Sequence, residues 1–165
     1  MKKCFYCLSI LAFILMSENC QSKTKSNKNT QEWRYEVECE KNGAEGSYLV
    51  KVWSYSKSQS AAAKNAAKNA VHGVIFKGVA GKGGECVSQR PLAPSPGVQY
   101  EKSDYFSKFF DDGGEYQKYA IVVGVPESIK IKKEYKVGVV VSVSKDQLRK
   151  DLESAGIIKG LSNGF

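Results

Sequence analysis

The sequence predicts a single α+β domain, built mainly from an antiparallel sheet of about four strands with helices packed on one face. Residues 33–39 alternate apolar and polar side chains with a period of two, and residues 47–56 are rich in β-forming residues on both faces; both patterns are typical of strands. An alanine-rich stretch with helical spacing follows them, and a valine-rich stretch, Glu134–Ser144, comes later. A helix with one apolar face buries that face against such a sheet.

The residues before the domain have the pattern of an export signal. Met1–Lys3 carries positive charge, and Phe5–Met16 is an apolar run shorter than the roughly 20 residues that a membrane-spanning helix needs. We expect a signal peptide over 1–19, a polar tether over 20–31 and the domain over 32–165. The tether has no apolar residue after Cys20, so it cannot pack as part of a core.

Cys20 lies where a lipoprotein signal places its acylated cysteine. The match is imperfect, because Asn19 occupies a position that usually holds a small residue. The alternative is cleavage after Ser22, which would release the domain without lipid. We expect a lipid at Cys20 and a position at the outer membrane or periplasmic face of the envelope; without lipid the protein would be periplasmic or secreted.

Two cysteines remain in the exported domain, Cys39 and Cys86. An even number of cysteines in an oxidising compartment predicts a disulfide between them. A metal site is poorly supported, because the sequence has no CxxC pair and a single histidine, His72. We predict neither a metal nor another cofactor.

The first two strands are predicted at Trp33–Cys39 and Ser47–Ser56, joined by a turn that contains Asn42 and Gly43. Trp33, Tyr35, Val37 and Cys39 form one face of the first strand. Both faces of the second are rich in β-forming residues, which indicates a central strand.

The next stretch, Ser58–Gly78, carries one apolar stripe of helical spacing, with Ser58 or Ser60 as cap and Gly78 as stop: Ala63, Ala66, Ala67, Ala70, Val71, Val74 and Ile75. Because the first half is lined with alanine, the helix backbone can lie close to the sheet. The glycine-rich residues 78–84 do not fit a phosphate-binding loop, because a Ser or Thr is missing after the lysine. We expect them to end the helix and carry Cys86 towards the first strand.

Residues 87–98 hold three of the four prolines and predict an exposed loop, in which Arg90 and Leu92 are candidate binding residues. Ser103 is predicted to cap a short helix. The aromatic stripe of that helix is interpreted as core, with a binding groove as the alternative: Tyr105, Phe106, Phe109 and Phe110.

Two further strands are predicted at Glu115–Gly124 and Glu134–Ser144. Between them Ile129 and Ile131 alternate with lysines, which indicates a sheet edge with charges facing water. A last helix is predicted from Lys145 to Ala155, capped by Ser144 and ended by Gly156.

The net charge of the chain is +8, which favours acidic partners. Lys130, Lys132 and Lys133 are therefore candidate binding residues for an anionic glycan or lipid surface. The export signal argues against nucleic acid as a partner.

The order of elements also resembles a known group of domains. An alanine-rich helix at Ser60–Ile75 follows a strand, and a strand at Val137–Val143 leads into a leucine-containing helix at Leu148–Ala155. This layout resembles the small lipoprotein-type domains of Gram-negative envelopes that include the N-terminal domain of flagellar assembly protein T. The stretches YLVKVWSYS, NAVHGVIFKG and LRKDLESAGII are similar to uncharacterised exported proteins. The resemblance implies an exported α+β domain and no catalytic residue.

Three functions remain open at this point. The leading hypothesis is a non-catalytic, lipid-anchored envelope protein that binds a protein partner or assembly, held at the membrane through its lipid. The second is a periplasmic adaptor for anionic glycan or lipid surfaces. The third is an enzyme with His72 as general base, although a structural histidine is the simpler interpretation and we do not expect an enzyme.

Overall fold

A four-stranded antiparallel sheet forms the centre of the computed structural model, which describes residues 33–84 and 86–160. Its strands lie in the order β1-β2-β4-β3, and every neighbouring pair is antiparallel. The strands are β1 Tyr35–Asn42, β2 Tyr48–Ser56, β3 Ala120–Ile131 and β4 Glu134–Val143. The predicted α+β class is confirmed, and β2 is central as predicted.

Helices cover one face of the sheet. They are α1 Gln59–Lys64, α2 Ala66–His72 with a π-helical turn Gly73–Lys77, α3 Val98–Glu101, α4 Ser103–Phe109, a 3-10 helix Glu115–Tyr119 and α5 Lys145–Ser154. The strand residues beneath them are fully buried: Val50, Val52, Val137, Val139, Val141 and Val143. The opposite face of the sheet, called here the open face, carries the polar and charged side chains of β1, β2 and β4.

The alanine-rich stretch forms α1, α2 and the π-helical turn rather than one continuous helix. The Ser58 side chain caps α1 by accepting from the Ala61 N–H at 3.4 Å, and Gly78 ends the π-helical turn with a φ of 74°. The backbone lies close to the sheet, as predicted from its small side chains: a Cβ at Gly73 would lie 2.8 Å from Val37 Cγ2. Of the predicted stripe, Ala63 and Ala67 are half-buried and the rest are buried.

The predicted strand at Glu115–Gly124 begins five residues too early. Glu115–Tyr119 is a 3-10 helix, in which Tyr116 and Tyr119 are three residues apart and both buried. The strand then runs from Ala120 through Pro126 to Ile131, and its pairing with β4 is irregular between Val123 and Glu127. Pro126 is tolerated because it lies in this irregular part of an edge strand.

The proline-containing loop is anchored to the core, so the prediction that it is exposed is wrong for Leu92 and Val98, which are buried. The Leu92 N–H donates to the Val74 carbonyl at 3.1 Å, and the Ala93 N–H donates to the Ile75 carbonyl at 2.9 Å. These carbonyls belong to the π-helical turn, so the loop satisfies acceptors that a regular helix would satisfy itself.

The aromatic side chains of α4 lie in the core, as predicted. Phe106, Phe109 and Phe110 are buried, and Tyr105 is half-buried. Ser103 is the first helical residue instead of the cap, a position that Lys102 takes. Ser144 has the predicted cap position of α5 without a capping side-chain bond, and Gly156 follows the helix with a φ of 67°.

A disulfide joins Cys39 to Cys86, with 6.3 Å between their Cα atoms, as predicted. The loop before Cys86 lies along β1, where the Cys39 N–H donates to the Ala80 carbonyl at 2.9 Å. The predicted signal peptide, the tether and the lipid at Cys20 lie outside the described residues.

Candidate functional site

The outer edge of β3 is not paired with any strand in the described ranges. The Ser144 N–H donates to the Tyr119 carbonyl at 2.9 Å, and hydrogen-bonded and non-bonded pairs alternate along an antiparallel ladder. The backbone groups of Ala120 and Val122 therefore point away from β4. At the other end of β3, Ile131 and Glu134 form a hydrogen-bonded pair on either side of a two-residue turn. By the same alternation, the backbone groups of Ser128 and Lys130 also point away from β4. We call this row of free donors and acceptors the β3 edge.

Apolar side chains surround the β3 edge. Every residue from Ile121 to Ile131 is exposed, and Val125 is 88% exposed. Ile121, Val123, Ile129 and Ile131 lie on the open face, opposite Ser142, Val140, Lys136 and Glu134 of β4. Native edge strands usually carry charges and few apolar side chains, because an apolar edge pairs with other chains. The β3 edge therefore has the composition of a docking surface.

The opposite edge of the sheet is closed. The Ala80 carbonyl takes the Cys39 N–H of β1, and the Lys77 ammonium donates to the Tyr35 carbonyl at 3.4 Å. The disulfide fixes the covering loop at the same point. A strand that approached β1 would have to displace these groups, whereas the β3 edge requires no displacement.

Three predicted binding residues, Lys130, Lys132 and Lys133, lie together at the end of β3 and in the turn to β4. All three are exposed, and none makes an ion pair within the described part of the chain. They add a basic end to the β3 edge.

The charges of the open face are paired. Lys51 contacts Glu127 at 2.8 Å, Lys136 contacts Glu36 at 2.9 Å, and Arg34 contacts Glu134 at 2.9 Å. Glu127 and Glu134, the nearest acidic residues in sequence on either side of the turn, are thus already paired with other cations. The turn lysines are left without a counter-charge of their own.

The other two predicted binding residues do not join this surface. Arg90 is exposed on the loop that follows the disulfide, two residues before the buried Leu92. Leu92 is 7% exposed, so its side chain is not available to a partner. The loop uses this leucine to anchor itself beneath the π-helical turn.

His72 lies in an aromatic cluster with hydrogen bonds to both ring nitrogens. Its Nε2–H donates to Gln99 Oε1 at 3.1 Å, because that oxygen can only accept, and the Tyr35 hydroxyl donates to Nδ1. The Trp33 ring stacks on the imidazole with 3.6 Å between ring centroids. These contacts fix one neutral tautomer.

The same contacts make His72 a poor general base. Burial lowers the pKa of His72 to about 3, with the Lys77 and Lys68 charges acting in the same direction and the Gln99 bond opposing them. The neighbouring cavity of about 510 Å³ is lined by Trp33, Lys68, Gln99 and Phe110 among others, and His72 is not among its lining residues. The His72 side chain is buried, so little of the imidazole is accessible from that cavity.

No three His, Cys, Asp or Glu side chains among residues 33–84 and 86–160 are placed to hold a metal ion. None of the helices in these ranges is long and apolar enough to cross a bilayer.

Sequence reasoning missed the most exposed part of the candidate site. It located the edge at Ile129–Lys132 but treated residues 115–124 as an ordinary strand. The signal that could have extended the edge is the sequence Gly124-Val125-Pro126, since proline within a strand indicates an edge.

No protein-family model, no curated protein and no solved structure matches this chain. The similarity of layout to the envelope domains named above therefore stays a prediction.

Proposed function

We propose that this chain is a non-catalytic, exported envelope protein that binds a protein partner by adding an extended segment of that partner to the β3 edge. The observation that carries the proposal is an open edge strand whose exposed side chains are mainly apolar. Strand addition of this kind obtains affinity from backbone hydrogen bonds and specificity from alternating side chains. Ala120, Val122, Ser128 and Lys130 supply such backbone groups.

The disulfide fits an exported protein, because disulfides persist in oxidising compartments. The lipid at Cys20 and a location at the outer membrane or periplasmic face belong to the proposal. A lipid anchor would leave the domain tethered near envelope proteins by residues 20–31. Intact-mass measurement of protein from the envelope fraction tests the anchor: acylated Cys20 supports it, and an unmodified N-terminus at Lys23 in the aqueous fraction contradicts it.

Site-specific photo-crosslinking in the producing cell tests strand addition. A crosslinker in place of Val125, the most exposed large apolar residue of β3, should yield one defined protein adduct that mass spectrometry identifies. A crosslinker at Val87 is the positional control and should not yield that adduct. Val87 is 74% exposed and lies in the loop after the disulfide, not in β3.

A proline substitution separates strand addition from other contacts. Ser128→Pro removes an N–H that points away from β4, so the β3–β4 ladder keeps its bonds while the edge loses a donor. The adduct should disappear in Ser128→Pro and persist in Ser128→Ala, which keeps the N–H. An adduct unaffected by Ser128→Pro in a folded variant would contradict binding at this edge.

A further inference from the structure

We infer that the partner segment is apolar where it lies beside Ala120–Val123 and acidic where it lies beside Lys130, Lys132 and Lys133. The inference rests on the proposed function, since it specifies the chemistry of the strand that the β3 edge accepts. It follows from the uneven distribution of charge and apolar surface along the edge.

The first half of the edge is apolar. Ala120–Val123 has no charged residue, and Ile121, Val122 and Val123 are all exposed. Cross-strand pairs between β-branched side chains stabilise a ladder, whereas a charge placed opposite them would lose hydration without a partner. This half therefore favours β-branched or other apolar residues in the added strand.

The second half of the edge is basic and uncompensated. Lys51 and Arg34 already bind Glu127 and Glu134, the nearest acidic residues in sequence on either side of the turn. Lys130, Lys132 and Lys133 lack ion pairs with any described residue. Carboxylates of a bound segment would supply the missing counter-charge, because opposite charges across neighbouring strands attract each other.

A second copy of this chain fits the edge less well. In an antiparallel pairing of two β3 strands, the basic end of each copy lies beside the apolar half of the other, so neither set of lysines meets a carboxylate. Without Lys2, Lys3 and Glu18, which lie in the predicted signal peptide, each mature copy has 23 basic and 16 acidic residues. Its net charge of +7 also opposes self-association. A different protein with the complementary pattern is therefore the occupant that the charges favour.

The interruption at the middle of the edge sets the length of the segment. The irregular pairing between Val123 and Glu127 separates the outward groups of Ala120 and Val122 from those of Ser128 and Lys130. A segment that uses both halves has to span from Ala120 to Lys130. It carries its apolar residues and its carboxylates in separate blocks.

Synthetic peptides provide the test, with the mature chain as the binding protein. The first probe is a fluorescein-labelled decapeptide with a block of aspartate and glutamate followed by a block of valine and threonine. A second probe has the blocks in reverse order, so that antiparallel and parallel addition are both covered. In two further probes, lysine replaces every acidic residue. Binding is measured by fluorescence anisotropy.

We expect one acidic probe to bind and its lysine counterpart to bind at least about tenfold more weakly. Binding of the acidic probe should weaken at high salt. It should also be lost in Ser128→Pro and retained in Ser128→Ala. The triple variant Lys130→Glu/Lys132→Glu/Lys133→Glu, whose changes lie on exposed residues, should reverse the preference in favour of the lysine probe.

Four results would overturn the inference: equal binding of acidic and lysine probes, no binding of any probe, acidic binding that survives Ser128→Pro, or self-association seen by sedimentation. Anionic phospholipid vesicles test the other source of negative charge. Vesicle binding that depends on the three lysines but not on Ser128 would assign them to a lipid surface instead. Loss of the acidic preference while the Ser128-dependent crosslink persists would refute this inference and leave the proposed function intact.

Discussion

The turn between β3 and β4 holds a residue in an unfavourable backbone conformation. Lys132 has a φ of 54°, which lies in the left-handed region. A residue other than glycine in this region destabilises the folded state by about 1–2 kcal/mol. We expect Lys132→Gly to raise the free energy of unfolding by about 0.5–1 kcal/mol, because relief of strain exceeds the entropy cost of glycine.

Lys133→Gly is the matched control, since Lys133 has no positive φ. It should lower the free energy of unfolding by a similar amount, as measured by chemical denaturation. Equal effects of the two substitutions would show that the turn does not strain Lys132.

His72 should make the protein sensitive to acid. In the unfolded chain its pKa is near 6.5, whereas burial lowers the pKa to about 3 in the folded protein. Between these values the unfolded state binds a proton that the folded state does not. The stabilisation that neutral His72 provides is complete above about pH 6.5. It is lost as the pH falls through 3, by about 5 kcal/mol in total.

The variant His72→Gln isolates that contribution, because exposed carboxylates titrate equally in both proteins. Between pH 6 and pH 4, the slope of the free energy of unfolding against pH should be smaller in His72→Gln than in the wild type. The difference between the two slopes should be about 1.4 kcal/mol per pH unit. Parallel curves would mean that His72 is protonated in the folded protein at its ordinary pKa.

At the scale of single elements, hydrophobic periodicity predicted which residues are buried. It did not predict where the α-helix changes to a π-helical turn. The apolar stripe of residues 63–75 located a helical segment over the sheet. The π-helical turn at its end leaves the Val74 and Ile75 carbonyls to accept from the Leu92 and Ala93 N–H groups, which lie 18 residues downstream. A local pattern carries no information about such bonds.

The anchored loop gives the element-scale prediction. Leu92→Ala should lower the free energy of unfolding by about 2–4 kcal/mol, because it leaves a cavity beneath the π-helical turn. Val87→Ala, on the exposed part of the same connection, should change it by less than about 0.5 kcal/mol. Similar small losses at both positions, measured by urea denaturation, would show that the loop is not anchored by Leu92.

At the scale of the whole molecule, the disulfide connects the covering loop to the sheet. The cysteines are 47 residues apart, for which the chain-entropy model gives about 4 kcal/mol of stabilisation. Cys86→Ser should therefore lower the free energy of unfolding by about that amount, and reduction of the wild type should match it. Two titratable thiols in the folded, oxidised protein would contradict the bridge.

The candidate site was predictable only where a short local pattern encodes it. Alternation of Ile129 and Ile131 with lysines identified an edge strand, and the three lysines were recognised as a basic cluster. The free edge of Ala120 and Val122 depends on which strand lies beside β4, and the lack of counter-charge depends on where Lys51 and Arg34 reach across the sheet. Both are properties of strand order, which a local pattern does not contain.

The two edges of the sheet differ, and this difference limits the stoichiometry of any complex. In the described ranges, Ala80, Lys77 and the disulfide close the β1 side, whereas the β3 side is free. A chain that has accepted one strand at β3 offers no second free edge on which a polymer could grow. Light scattering should therefore give a mass of one chain plus one partner segment at every concentration, and the protein would terminate a row of strands instead of extending it.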